Sequence, residues 1–120
     1  MNSGETPGII IDTLAFSADF VKKNPKAVKA VVDSWFEALD YMKANQQDAY
    51  TVMGADVKQS AEGFANSAKF VTWYDRKMNQ EYFAKTMQPF LREATAIMLE
   101  AALIKKAPEL APLADGSFVK

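Results

Sequence analysis

The longest amphipathic pattern in the chain runs from Asn24 to Asn45, NPKAVKAVVDSWFEALDYMKAN. Val28, Val31, Val32, Trp35, Leu39 and Met42 recur at three- and four-residue steps, with Phe36 at the margin. Lys26, Lys29, Asp33, Glu37, Asp40 and Lys43 take the remaining surface. That is the spacing of a helix with one face turned to a core. Pro25 suits the first helical position, and the Asn24 side chain is placed to accept the orphan amide protons of the first turn. Trp35 and Phe36, aromatic residues at helical spacing, read as core rather than as a ligand platform.

A second stripe, Phe90, Leu91, Ala94, Ile97, Met98, Ala101 and Ile104, predicts a last helix as the natural partner of the first, with Lys105 and Lys106 at its C-terminal end. Pro89 either starts that helix or kinks a longer one. Shorter elements lie between and before the two. Ser17 caps a short helix, SADFVKKN, which must stop before Asn24-Pro25 because a residue ahead of proline is pushed out of the helical region. Gln46 to Met53 predicts another helix, stopped by Gly54 acting as a left-handed residue. Ala61, Phe64, Ala65 and Ala68 give a small helix its apolar side. KFVTWYD, from Lys69 to Asp75, is aromatic and β-branched and reads as extended. Asp75 or Asn79 then caps a helix carrying Met78, Tyr82 and Phe83.

One segment departs from the helical pattern. Ile9, Ile10, Ile11, Asp12, Thr13, Leu14, Ala15 and Phe16 predict a strand that is apolar on both faces, as a buried central strand would be. No second strand of similar quality is present to pair with its backbone groups. Met1 to Gly8 reads as a flexible lead-in, and residues 107–120, with Pro108, Pro112 and Gly116, as an irregular tail whose Leu110, Leu113 and Phe118 tack onto a neighbouring surface. The expected fold class is mainly α with one short N-terminal strand, in a single domain over residues 1–120.

Composition narrows the chemistry. A chain of 120 residues supports one domain, and a net charge of −1 gives no basic footprint for nucleic acid. Zero Cys and zero His remove thiol nucleophiles, the usual zinc ligands and every Ser-His or Cys-His arrangement. No Gly-rich phosphate loop is present, the methionines are scattered as core fillers, and Glu93 and Glu100, a heptad apart, mark a solvated face. No catalysis, metal or cofactor is expected. No stretch approaches the ~20 apolar residues that cross a bilayer, and MNSGETPG lacks the features of a signal peptide. The expectation is a soluble protein, either cytosolic or starting downstream of an export signal.

The order of segments resembles a known family. PGIIIDTLAFSADFVKKNPKAVKAVVDSWFEALDYMKANQQDAYTVM, then KFVTWYD with MNQEYF, then ALIKKAPELAPLADGSFVK, is similar to the C-terminal part of solute-binding proteins of the nitrate, sulfonate and taurine type of ABC importer. The resemblance implies a fragment of a type II periplasmic-binding-protein α/β lobe, the last third or so of a two-lobed protein. Its implied function is to carry a small anion or sulfonate-like solute to an ABC permease, in a periplasmic or extracellular membrane-associated setting. The unpaired strand would then find its sheet partners in the preceding portion. Asp12, a carboxylate in an apolar run, is either a satisfied polar group near a strand end or hinge, or a cleft-edge group close to the ligand. Thr13 carries the same two readings. Trp73 and Tyr74 either line a cleft or cover one. The alternative function is a stand-alone helical interaction module, a homo-oligomer pairing through the Ile9-Phe16 strand with no small-molecule ligand.

Overall fold

A computed structural model describes residues 10–120; the polar lead-in Met1 to Gly8 and Ile9 lie outside the described residues. The chain is mainly helical and divides into two compact units, Met1–Trp73 and Tyr74–Lys120. In the first lie α1 (Ala18–Lys23), α2 (Pro25–Ala44), α3 (Gln46–Asp56) and α4 (Ala61–Ala68). The second holds α5 (Arg76–Glu81), a π-helical turn (Tyr82–Thr86), α6 (Met87–Glu100) and two 3₁₀ turns, Ala111–Leu113 and Gly116–Val119. The two helices with the strongest stripes, α2 and α6, thus fall in different units.

The expected strand is corrected. Residues 10–16 form neither helix nor strand, and no strand exists among the described residues. A strand is held by a ladder of backbone hydrogen bonds, and nothing within the described chain offers the second half of that ladder. Ile10 stands 74% exposed and Leu14 58%.

Local chemistry sets the helix ends. Ser17 Oγ accepts from Phe20 N at 3.2 Å to start α1, and Ser60 Oγ accepts from Gly63 N at 3.1 Å to start α4. Asp75 rather than Asn79 starts α5, its Oδ1 accepting from Met78 N at 3.0 Å. Each such cap is worth about 1 kcal/mol. Asn24 does not act as expected. Its amide donates backward to Phe20 O at 3.4 Å, closing α1, while its carbonyl accepts from Ala27 and Val28.

The core of the first unit is small: Val28, Phe36, Leu39 and Met42 of α2 with Ala49 of α3 and Ala68 of α4. Trp35, expected as core, is 47% exposed, and the marginal Phe36 is buried instead. Indole is the largest side chain and is seldom fully covered. Among the described residues its ring partner is Trp73. Helix α3 packs chiefly against α4, with Tyr50 meeting Phe64 edge-on at 5.4 Å.

Gly54 is not the stop of α3. It lies inside the helix, which runs on to Asp56. A Cβ at this position would meet Gln59 O at 2.9 Å, Ser60 O at 3.1 Å and Phe64 Cβ at 3.3 Å. The left-handed residue is Lys58, at φ 58°. Its amide bonds Ala55 O at 3.2 Å while Gln59 N bonds Gly54 O at 2.8 Å, the paired bonds of a Schellman turn. Helix α6 ends in the same way, at Glu100 rather than Ile104: Ala102 sits at φ 55°, its amide on Leu99 O at 3.0 Å and that of Leu103 on Met98 O at 2.9 Å.

Of the two expectations for Pro89, the start of a new helix after a break near Met87 is the one met, since α6 begins at Met87. The proline lies in the first turn of α6, directly after the π turn in which Met87 N bonds Tyr82 O, five residues back. A proline clashes with the carbonyl four residues before it, here Lys85, and the wider turn accommodates that carbonyl. The C-terminal segment is more ordered than expected. Val119 is buried, its carbonyl accepts from Gln80 Nε2 at 2.9 Å, and Arg76 Nη1 donates to Lys120 O at 3.2 Å.

Candidate functional site

The three residues singled out as ligand contacts lie in two segments without regular structure. Asp12 and Thr13 are exposed in the irregular segment of residues 10–16. Trp73 lies after α4 in a run, residues 71–75, without regular structure. Among the described residues no hydrogen bond or ring contact joins Asp12 or Thr13 to Trp73. The expected cost of a carboxylate in an apolar strand does not arise, because neither the strand nor the burial is present.

Trp73 has the most unusual environment of the three. Its ring sits 6.4 Å from that of Trp35, tilted by 44°, and its Nε1–H is buried without a hydrogen-bond partner among the described residues. An unmade hydrogen bond at a buried donor costs roughly 1–3 kcal/mol, so this indole N–H is a donor in search of an acceptor. Tyr74, its neighbour, turns to Tyr82 instead, in an edge-on pair at 5.8 Å.

The second unit carries a groove of about 470 Å³ that sequence reasoning missed. Phe83, Ala84 and Met87 form one wall and the segment from Ala114 to Lys120 the other. Gly116 permits this close approach, since a Cβ there would lie 3.0 Å from the Phe83 ring. Gly116 and Pro112 in the tail, with the break ahead of Pro89, were the available signals; the folding back of the tail onto α5 was not. Asp115 at the rim is held below the usual carboxylate range, chiefly by the Ser117 amide it accepts from at 2.9 Å, then by the Ser117 hydroxyl, against a small opposing effect of burial and with help from Lys120. One carboxylate tied to its own turn offers no acid–base pair.

Lys29 pairs with Asp33 at 2.9 Å one turn on. Tyr41 OH donates to Asp48 Oδ2 at 2.6 Å across the α2–α3 junction, and this bond, with the negative charge of Asp48 and slight burial, raises the phenol above its ordinary value. Among the described residues no cluster of acidic side chains has the grouping of a metal site, and no helix is long and apolar enough to cross a membrane. Comparison with protein-family models, with curated proteins and with solved structures finds no match to this chain.

Proposed function

We propose that the chain serves as the C-terminal segment of the substrate-binding component of an ABC importer for a small anion or sulfonate-like solute, without enzymatic activity of its own. The order of its sequence segments suggests this reading. The observation that carries it is the state of residues 10–16, an apolar run of strand-forming residues left uncovered, with Ile10 and Leu14 in solvent. Such a run buries itself only as part of a sheet. A preceding lobe would supply that sheet, and the helices of the first unit would then form lobe surface rather than ligand contacts. Hinge closure of two lobes around the solute, followed by docking on a permease from the periplasmic or extracellular face of its membrane, is the mechanism this role entails. Asp12 and Thr13, without a hydrogen bond among the described residues, and the indole N–H of Trp73, likewise without a partner there, are the groups that would meet a solute or a preceding lobe.

The test supplies in trans the first two thirds of a nitrate-, sulfonate- or taurine-type solute-binding protein. Complex formation is read by size exclusion, and binding of nitrate, taurine and an alkanesulfonate by calorimetry. Assembly with gain of binding is expected; two components that elute separately and bind nothing overturn the reading. A second reading, a stand-alone helical interaction module, draws on the uncovered stripe of α6.

A further inference from the structure

The groove of the second unit already holds a stretch of peptide main chain. Gln80, Phe83, Ala84, Met87 and Gln88 line one side from the helical run, and the tail from Ala114 to Lys120 lines the other. Val119 is the one buried apolar residue of Tyr74–Lys120, and its main-chain carbonyl accepts from Gln80 Nε2 at 2.9 Å. A glutamine amide thus serves here as a clamp on main chain. Eight residues on, Gln88 brings a second carboxamide to the same groove, half-buried and without a hydrogen bond among the described residues. Gln80 Oε1 is likewise left without a donor there. A partly desolvated carboxamide gains most from a partner that offers both a donor and an acceptor, and a peptide unit is such a partner.

We infer that this groove binds a short extended peptide, its main chain held between Gln80 Oε1 and the Gln88 amide and an apolar side chain set against Phe83 and Met87. Size agrees with chemistry. At about 470 Å³ the groove falls within the range of small-ligand clefts, ~300–1,000 Å³. Eight residues of helix set the two glutamines roughly 12 Å apart, a span that extended chain at ~3.3 Å per residue covers in three to four residues. The π turn Tyr82–Thr86 supplies the middle of this wall, and π turns recur at functional sites. Asp115 and Lys120 line the groove without forming an ion pair with each other. One charge of each sign favours neither an anion nor a cation, so amide and apolar contacts set the preference.

The site lies within Tyr74–Lys120 and does not rest on the transport reading. The full chain, carrying ¹³C at its methionine methyl groups, is titrated with N-acetyl-Ala-Leu-Ala-amide and followed by NMR, with Met87→Leu assigning the Met87 signal. A saturable shift of that signal is expected, with a dissociation constant between roughly 0.1 and 1 mM. The signals of Met42 and Met53, in the other unit, should stay in place. Gln88→Leu should weaken binding by about tenfold or more through loss of the amide hydrogen bonds. Its far-UV spectrum should match wild type, because Gln88 holds nothing else in place. Gln47→Leu, at an exposed glutamine of α3, should leave binding unchanged. N-acetyl-Ser-Ser-Ser-amide keeps the main chain but lacks the apolar side chain, and should bind about tenfold more weakly. No saturable Met87 shift up to about 20 mM peptide, an equal response to the serine peptide, or wild-type affinity in Gln88→Leu each overturns the inference.

Discussion

Replacing Gly54 with alanine is a direct probe of the α3–α4 packing. In an exposed helix interior, Gly→Ala gains about 1 kcal/mol, because the backbone of glycine loses more freedom on folding. Gly54 is buried, and the first atoms that a methyl group would meet are backbone oxygens, Gln59 O at 2.9 Å and Ser60 O at 3.1 Å. These belong to the Schellman turn that leads into α4 and cannot rotate aside as a flexible side chain would. Displacing them strains the 2.8 Å bond from Gln59 N to Gly54 O and the cap at Ser60, an overpacking cost of roughly 1–3 kcal/mol. The net loss is about 1 kcal/mol, which for a unit of this size lowers the melting temperature by roughly 4–8 °C. Trp35 and Trp73 both lie in this unit, so tryptophan fluorescence during urea or thermal unfolding reads the change. Gly54→Asn adds a discriminating case: asparagine is tolerated at a left-handed helix end but not in this tight helical position, and should cost more than alanine. If Gly54→Ala is as stable as wild type or more so, the close approach of α3 to the turn is wrong.

Three further outcomes are expected. Lys58→Gly and Ala102→Gly should each stabilise by about 0.5–1 kcal/mol in urea unfolding, because a left-handed side chain costs roughly 1–2 kcal/mol and the added freedom of the unfolded glycine returns part of it. Asp75→Ala removes the α5 cap at Met78 N and should cost about 1 kcal/mol, with Asp75→Asn or Asp75→Ser retaining most of it; circular dichroism during unfolding checks both. Tyr41, raised by its bond to Asp48, should ionise above pH 10 in an absorbance titration at 295 nm and return towards its ordinary value in Asp48→Asn. The folded protein favours the neutral phenol, so this contribution to stability is complete below the unfolded value near 10 and is lost as pH rises through the folded one.

What was legible in the sequence was local. Ser17, Pro25 and Asp75 act within three or four residues of themselves, and their helix starts follow from side chain and backbone alone. The phase of the α2 stripe was legible too, since Val28, Leu39 and Met42 are buried as their spacing requires. Which members of a stripe receive cover was not, because that depends on what lies opposite. Trp35 is on the stripe and still half in solvent, as is Ile97 on the stripe of α6. The strand over residues 9–16 is the sharpest case. Its composition was suited to a sheet, but a ladder is a property of two segments, and composition reports on one. Gly54 shows how one residue type serves two purposes: glycine near a helix end signals either a left-handed cap or a close approach, and only the position of the α4 turn separates them. Of the candidate site residues, exposure of Asp12 and Thr13 followed from the missing strand, while the unpartnered indole N–H of Trp73 had no sequence signal at all.

The π turn at Tyr82–Thr86 has a consequence for how this chain can change its length. A π turn holds one residue more than the α-helical path would, so every position after it is rotated by about 100° relative to an uninterrupted helix. Deleting one residue between 82 and 86 would restore the regular path and at the same time return the Lys85 carbonyl to the ring of Pro89. Replacing Pro89 alone would leave a surplus residue with no reason to bulge. The extra residue and the proline are therefore two halves of one change: each alone is costly, and a chain that lost both together would straighten into a single helix from α5 to α6 with the face bearing Phe90 and Ile97 turned to a new direction.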